Sequence, residues 1–228
     1  TRENMERDGV KLLSGCEYNI GGNKGPDGVY HIVGACMTRD PGLDHKEMND
    51  PSTPSWMRAR HIVEKIREAG GIAIFAHPAW SLNTPEQIMA VGETDGLEIY
   101  NSVSEAGMSD RPYSGLLVDM VAGMGHRPPL LATDDTHYYR GEEGRGFIMV
   151  EADAAEAAGG GMAGIAQAIR DGRFYASQGP EIKELWFEDD TVHIRCSEAE
   201  SIPLNSGIRQ ARIKWAEDGS SLNEARFK

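Results

Sequence analysis

Cysteine is scarce: Cys16, Cys36 and Cys196 are the only three in 228 residues. Three scattered thiols build neither a disulfide framework nor a Cys-rich zinc site, so they read as small core residues in a reducing, cytoplasmic compartment. Long apolar runs are missing too. No stretch approaches the roughly 18 residues of a membrane-spanning helix, and the polar opening Thr1 to Gly9 lacks the apolar core of a signal peptide. Positive charge is in short supply: 23 Lys and Arg stand against 36 Asp and Glu, a formal net charge of −13. Such a surface repels a phosphate backbone, which speaks against general binding of nucleic acid or anionic membrane. A small anionic substrate would then need local positive charge, and a metal ion is one source of it. What is present is ordinary globular material, 39% hydrophobic and 26% charged, which disfavours disorder, collagen-like sequence and coiled coil. At roughly 150 residues per domain the length fits one large domain, or one domain with a small appendage.

Val10 to Ile20 and Tyr30 to Met37 read as two strands around the turn-rich stretch Gly21 to Gly28. From Trp56 to Ala69 the residues Ala59, Ile62, Val63, Ile66 and Ala69 recur at helical spacing, and Gly70-Gly71 ends that helix. Ile72 to Ala76 is a fully apolar strand. A short helix near Pro85 to Val91 and a strand from Gly96 to Tyr100 follow. A further helix is predicted with Tyr113, Leu116, Leu117, Met120, Val121 and Met124 on one face. Strands at Pro129 to Thr133, Gly146 to Glu151 and Arg173 to Ser177 and a helix at Met162 to Ile169 continue the alternation, with Ala154 to Gly161 as a surface connection. Strands alternating with helices, most of them continuous apolar runs, predict an α/β fold whose parallel sheet is covered on both faces and closed as a barrel over residues 1–179. After Gly179-Pro180 the period becomes two, with Val192, Ile194 and Cys196 alternating with His193 and Arg195. Residues 180–228 therefore read as a small antiparallel β appendage.

Five ionisable residues fall at ends of predicted strands: Glu17, His31, His77, Asp135 and His137. Imidazole and carboxylate are the ligands that zinc, manganese and iron prefer. Residues two apart on an extended segment point the same way, so Asp135 and His137 can reach across one cavity while Asp134 faces oppositely. Pro78 breaks the backbone ladder directly after His77 and presents that imidazole at the strand mouth.

At these residues the sequence resembles the polymerase and histidinol phosphatase (PHP) family of metal-dependent phosphoesterases. Gly15-Cys16-Glu17, His31-Ile32-Val33-Gly34, Phe75-Ala76-His77-Pro78 and Thr133-Asp134-Asp135-Thr136-His137 look like four successive motifs of that family. The segments Ala76 to Ser81, Gly96 to Asn101 and Gly172 to Pro180, followed by a β-rich tail, resemble its carbaryl-hydrolase-like branch. The resemblance covers nearly the whole chain. It implies a distorted seven-stranded (β/α) barrel. The family opens with His-x-His and then Asp-His, and neither motif stands here, so roughly the first βα units are expected to be missing from this sequence and the barrel and its metal cluster to be incomplete.

The resemblance further implies two or three divalent ions and hydrolysis by a metal-activated hydroxide. Glu17 would bridge two ions, and its carboxylate would converge on one ion with a nitrogen of His31 and of His77. Asp135 would serve the ion of the absent His-x-His, and His137 a third ion or the leaving group; Glu17, His77, Asp135 and His137 form the catalytic set. Arg140 and Arg145 either bind an anionic substrate oxygen or are surface charges. Asn101, with Glu98, ends a strand and either lines the pocket or supports it. Trp80, Tyr138 and Tyr139 either shape the pocket or pack. His45, His61, His126 and His193 match no ligand motif. The expected activity is hydrolysis of a small phosphomonoester or phosphodiester. The alternatives are metal-dependent cleavage of a carbamate, amide or ester, and a truncated or degenerate barrel that serves as a binding module without catalysis. The expected partner is a small, anionic molecule, with no nucleic acid and no membrane; oligomeric state is left open.

Overall fold

A computed structural model describes residues 6–7, 10–21, 27–206 and 209–228. Its elements in chain order are β1 (Glu6–Arg7), β2 (Val10–Lys11), β3 (Gly15–Ile20), β4 (Tyr30–Ala35), α1 (His45–Met48), α2 (Ser55–Glu68), β5 (Ile72–Phe75), α3 (Pro85–Val91) and β6 (Gly96–Asn101). A π-helix (Ser104–Ser109) follows, then α4 (Gly115–Gly123), β7 (Leu130–Thr133), β8 (Phe147–Val150), α5 (Ala152–Ala157), α6 (Gly161–Arg170) and β9 (Phe174–Ser177). The chain finishes with β10 (Ile182–Glu188), β11 (Thr191–Ala199), β12 (Ser201–Leu204), β13 (Arg212–Trp215) and β14 (Leu222–Phe227). Most of the turn-rich stretch between β3 and β4, residues 22–26, lies outside the described residues.

The architecture is mixed α/β. Its centre is a five-stranded sheet in the order β3-β4-β5-β6-β7. The parallel closed barrel expected from the sequence is not what the described residues form: the sheet is open and mixed. β3, β4 and β5 pair antiparallel, and only β5-β6 and β6-β7 are parallel. The reason for the first reversal is chain length. Ile20 and Tyr30 are too close in sequence for the dozen or more residues of a parallel crossover, so β3 and β4 must form a hairpin. The predicted parallel strands at Gly146 to Glu151 and Arg173 to Ser177 instead pair with each other antiparallel as β8 and β9.

Helix α2 lies on one face of the sheet. Ala59, Ile62, Val63, Ile66 and Ala69 are all buried there among Ile32, Ala73, Phe75 and Leu97, as their spacing predicts. Gly34 on β4 makes the close approach possible, because a Cβ at that position would come within 2.9 Å of Ile66 Cγ1. Gly70, at φ +83°, then ends the helix in the left-handed conformation that glycine adopts without a Cβ clash. The opposite face buries Cys36, Ile72, Ile74 and Leu131 against Ala166 and Ile169 of α6.

Two local expectations are corrected. Along α4 and its flanks the apolar residues read as one face are divided: Val121 is fully buried, but Tyr113, Leu116, Met120 and Met124 are exposed, Leu116 by 74%. The stretch Gly-Leu-Leu-Val-Asp-Met-Val-Ala-Gly is apolar nearly all round, so periodicity could not choose its inward side. Ala154 to Gly161, read as a connection, contributes to α5 and the start of α6. After Pro180 every strand pair is antiparallel, in a β10-β11-β14 sheet and a β12-β13 hairpin. Cys196, Ile202, Ala225 and Phe227 form an apolar cluster of their own there. Among the described residues no helix is long and apolar enough to cross a membrane.

Ile66, completely buried between α2 and β4, is the residue whose truncation tests this packing. Ile66→Ala is expected to lower unfolding free energy by about 2–5 kcal/mol in urea titrations; a loss of only a few tenths would show that α2 does not seat on the sheet as described.

Candidate metal centre

The reversed direction of β4 assembles the site. Glu17 is the third residue of β3 and pairs with Val33, while His31 is the second residue of β4 and pairs with Asn19. Glu17, Asn19 and His31 therefore share one face, with Glu17 and His31 as diagonal cross-strand neighbours. Glu17 is thus within β3 and not at its end, and His31 lies next to the first residue of its strand. Because β4 runs against β3 and β5, its first residues lie beside the last residues of both. The Ala76 N–H donates to the His31 carbonyl at 3.0 Å and brings His77 alongside.

His77 leaves the strand in the left-handed region, at φ +27°, and only 4% of it is exposed. One tight turn follows, closed by the Ser81 N–H on the His77 carbonyl at 3.1 Å. That turn returns the Ser81 hydroxyl to 3.2 Å from His77 Nδ1 and leaves Nε2 facing Glu17. His31 Nδ1 lies 2.7 Å from Glu17 Oε1, and His77 Nε2 lies 3.5 Å from the same oxygen. One ligand atom from each of Glu17, His31 and His77 falls within 4.8 Å of the others, so these three could hold a metal ion. Trp80 packs against both imidazoles, with ring centroids 5.6 Å from His31 and 4.9 Å from His77.

Asp135 reaches the edge of this cluster, with Oδ2 4.0 Å from His77 Nε2. His137 stands at the mouth, more exposed, its Nδ1 2.6 Å from the Asp135 carbonyl oxygen. An Nδ1–H donated to that carbonyl fixes the tautomer and leaves Nε2 free to accept a proton or a metal. Together the five residues line one cavity of about 200 Å3, whose remaining wall includes Asn19, Trp80, Ser104 and Met108.

The ionisable groups of the cluster shift one another. Hydrogen bonds first from His31 and then from His77 hold the Glu17 carboxyl well below its usual range, against the opposing effect of burial. For His77 burial opposes the charged form, yet the bond to Glu17 and the nearby charges of Glu98 and Asp135 outweigh it and raise its pKa. Burial, reinforced by repulsion from Glu17, pushes Asp135 upward despite its bond from Asn101. A divalent cation among these groups would relieve the repulsion between the carboxylates. The donor set, two carboxylates and three imidazoles with two of the imidazoles oriented through their other nitrogen, fits zinc, manganese or iron.

Other predicted residues are placed elsewhere. Arg145 pairs with Glu105 at 3.2 Å, and Arg140 lies over the Tyr138 ring, 5.7 Å from its centroid. Neither lines the cavity. Both stand on an irregular loop, where no periodicity could tell which way a side chain points. Asn101 is also behind the cavity and not in its wall: it is 1% exposed and donates to Glu98 and to Asp135. Asp134 does face away from Asp135. Its carboxylate accepts the N–H groups of Gly144, Arg145 and Gly146 and closes the loop from below.

Glu142 was not anticipated. It is completely buried, and its carboxylate accepts the N–H groups of His137, Tyr138, Tyr139 and Arg140, which sets the loop that carries His137. Those backbone donors hold its pKa well down although burial raises it. In sequence it is one of two adjacent glutamates in a Gly-rich loop, and nothing there distinguishes it from Glu143. Ser81 was legible in principle, because a serine four residues after a histidine returns to it wherever one helical turn intervenes. In comparisons with known proteins the chain matches no protein-family model, no curated protein and no solved structure.

The Glu17–His77 pair sets a pH window for the metal-free protein. A depressed carboxylate stabilises above its ordinary pKa of 4.5 and loses that contribution as the pH falls; a raised imidazole stabilises below its ordinary 6.5 and loses it as the pH rises. The pair therefore contributes most between those values. In urea unfolding, the gap between metal-free wild type and Glu17→Gln is expected to be widest in that window and to narrow on both sides. A gap independent of pH would contradict the pairing.

Proposed function

We propose that this chain is a metal-dependent hydrolase of the PHP type, a phosphoesterase acting on a small phosphomonoester or phosphodiester, and that its mixed sheet corresponds to part of that family's distorted barrel. One observation carries the reading: Glu17 on β3, His31 on β4 and His77 just beyond β5 place ligand atoms within 4.8 Å of one another, at a cavity that Asp135 and His137 also line. The motif order in the sequence supports it.

Glu17, His31 and His77 would hold the ion, with Asp135 at its edge. When bound, a divalent ion supplies a water acidified toward neutral pH and a positive charge that polarises the scissile ester. The protein's own groups do the rest. Ser81 holds the His77 tautomer, and Trp80 narrows the cavity around both imidazoles. The exposed His137, its Nδ1 committed to the Asp135 carbonyl, has Nε2 available to move a proton to a leaving group. Ser81 pairs with an imidazole but does not line the cavity, so it is a positioning group and not a nucleophile.

A second reading, hydrolysis of a neutral carbamate, amide or carboxylic ester, is favoured by one feature of the wall. No Lys or Arg is among the described residues that line the cavity, so a bound ion would be the chief positive charge facing a phosphate.

Activity is expected to disappear in excess chelator and to return with a divalent ion, and His77→Ala to lower metal affinity more than about 100-fold, beyond the 10–100-fold typical of an outer-shell partner. A panel of nitrophenyl phosphates, esters and carbamates with elemental analysis of the protein checks both points. Full turnover in chelator after dialysis, or unchanged metal content in His77→Ala, would overturn the assignment; turnover of carbamates without phosphates would select the second reading.

A further inference from the structure

Between the strands that lead into His77 and Asp135 runs β6, and it holds two buried polar residues that the catalytic scheme does not use, Glu98 within the strand and Asn101 at its end. Glu98 is 4% exposed and Asn101 1%. The Glu98 carboxylate meets three donors. Oε2 accepts the His77 backbone N–H at 2.8 Å and Asn101 Nδ2 at 2.9 Å, and Oε1 accepts the Thr133 hydroxyl at 2.7 Å. Asn101 Nδ2 is also 3.3 Å from Asp135 Oδ2, while Asn101 Oδ1 accepts the backbone N–H and the hydroxyl of Ser104, a residue of the cavity wall. One continuous chain of hydrogen bonds thus joins His77 on the β5 side, Asp135 on the β7 side and the π-helix at the cavity. The two residues it joins both have left-handed backbones, His77 at φ +27° and Asp135 at φ +50°. Such conformations cost free energy in non-glycine residues and persist only where their surroundings hold them.

We infer that Glu98 and Asn101 are positioning residues that hold His77 and Asp135 at a fixed separation and so set the metal affinity of the cavity. This rests on the metal-site reading above. Neither residue touches the ion or the substrate. Glu98 anchors the backbone of His77, and Asn101 turns the Asp135 carboxylate toward the His77 imidazole. The donor pattern makes one substitution informative. In Glu98→Gln the amide oxygen can still accept from His77 and Asn101, and the amide nitrogen can donate to the Thr133 hydroxyl, which accepts as well as donates. All three bonds survive without the charge. Asn101→Leu leaves the Glu98 bond to the His77 N–H and a branched side chain of similar outline, but removes the bonds to Asp135 and Glu98 and those from Ser104 together.

Cobalt(II) is the probe, because its visible absorption reports ligand geometry as well as affinity. Metal-free wild type, Glu98→Gln, Glu98→Ala and Asn101→Leu are titrated with cobalt(II), and thermal unfolding of each metal-free protein checks that it is folded. Glu98→Gln is expected to bind within about threefold of wild type with the same spectrum, as befits retained outer-shell bonds. Asn101→Leu is expected to lose about 10–100-fold in affinity with an altered spectrum while unfolding cooperatively, and Glu98→Ala, where it folds, to lose at least as much. Wild-type affinity and spectrum in Asn101→Leu would overturn the inference. A loss in Glu98→Gln as large as that in Asn101→Leu would overturn it too, since charge rather than the bonded chain would then govern the site. Absence of cobalt binding by wild type would instead overturn the metal reading on which the inference stands.

Discussion

The antiparallel placement of β4 between β3 and β5 is the constraint on which the candidate site depends. A parallel β4 would carry His31 at the far end of the sheet from His77. Running in reverse, it brings its second residue beside the last residues of β5, and the Ala76 to His31 hydrogen bond fixes that neighbourhood. The hairpin also turns Glu17, from the interior of β3, onto the face that His31 occupies. The same strand alternates residue by residue between the core under α2 and the face of the site, so packing and ligand placement share one register. A slip of one residue in the β3-β4 pairing would send Glu17 or His31 into the wrong face.

Around the cluster, carboxylates do most of the structural holding. Glu98 joins the ends of β5 and β7 through β6, Asp134 closes the loop that follows β7, and Glu142 gathers four successive backbone N–H groups of that loop. Each acts on backbone that cannot pair within a strand. Irregular backbone at a strand mouth leaves donors that must be satisfied, and a buried carboxylate, which only accepts, is suited to satisfy several at once. The cavity that results is lined by acidic and neutral groups with imidazoles, and a cation held there would offset its carboxylate charge.

Much of this was legible in residue patterns. The spacing Ala59, Ile62, Val63, Ile66, Ala69 named the buried stripe of α2, and the period-two tail after Pro180 is antiparallel. The five ionisable residues do share a cavity, and Asp134 does turn away from Asp135. Strand direction was not legible, because apolar runs such as Ile72 to Ala76 look alike in parallel and antiparallel sheets that are covered on both faces. The inward side of α4 was hidden by its all-round apolarity. Arg140 and Arg145 were assigned by proximity in sequence to His137, and the loop between them obeys no period. Glu142 was invisible because its role is to receive backbone donors, which carry no side-chain signature.

On the reading proposed above, the imidazoles of His31 and His77 and the Glu17 carboxylate would hold one ion. X-ray absorption of the zinc-loaded protein measures this directly, since imidazole rings give characteristic outer-shell scattering. Two or more imidazole nitrogens with carboxylate oxygen are expected at about 2.0–2.2 Å from the zinc. A shell of oxygen alone, with no imidazole scattering, would contradict it.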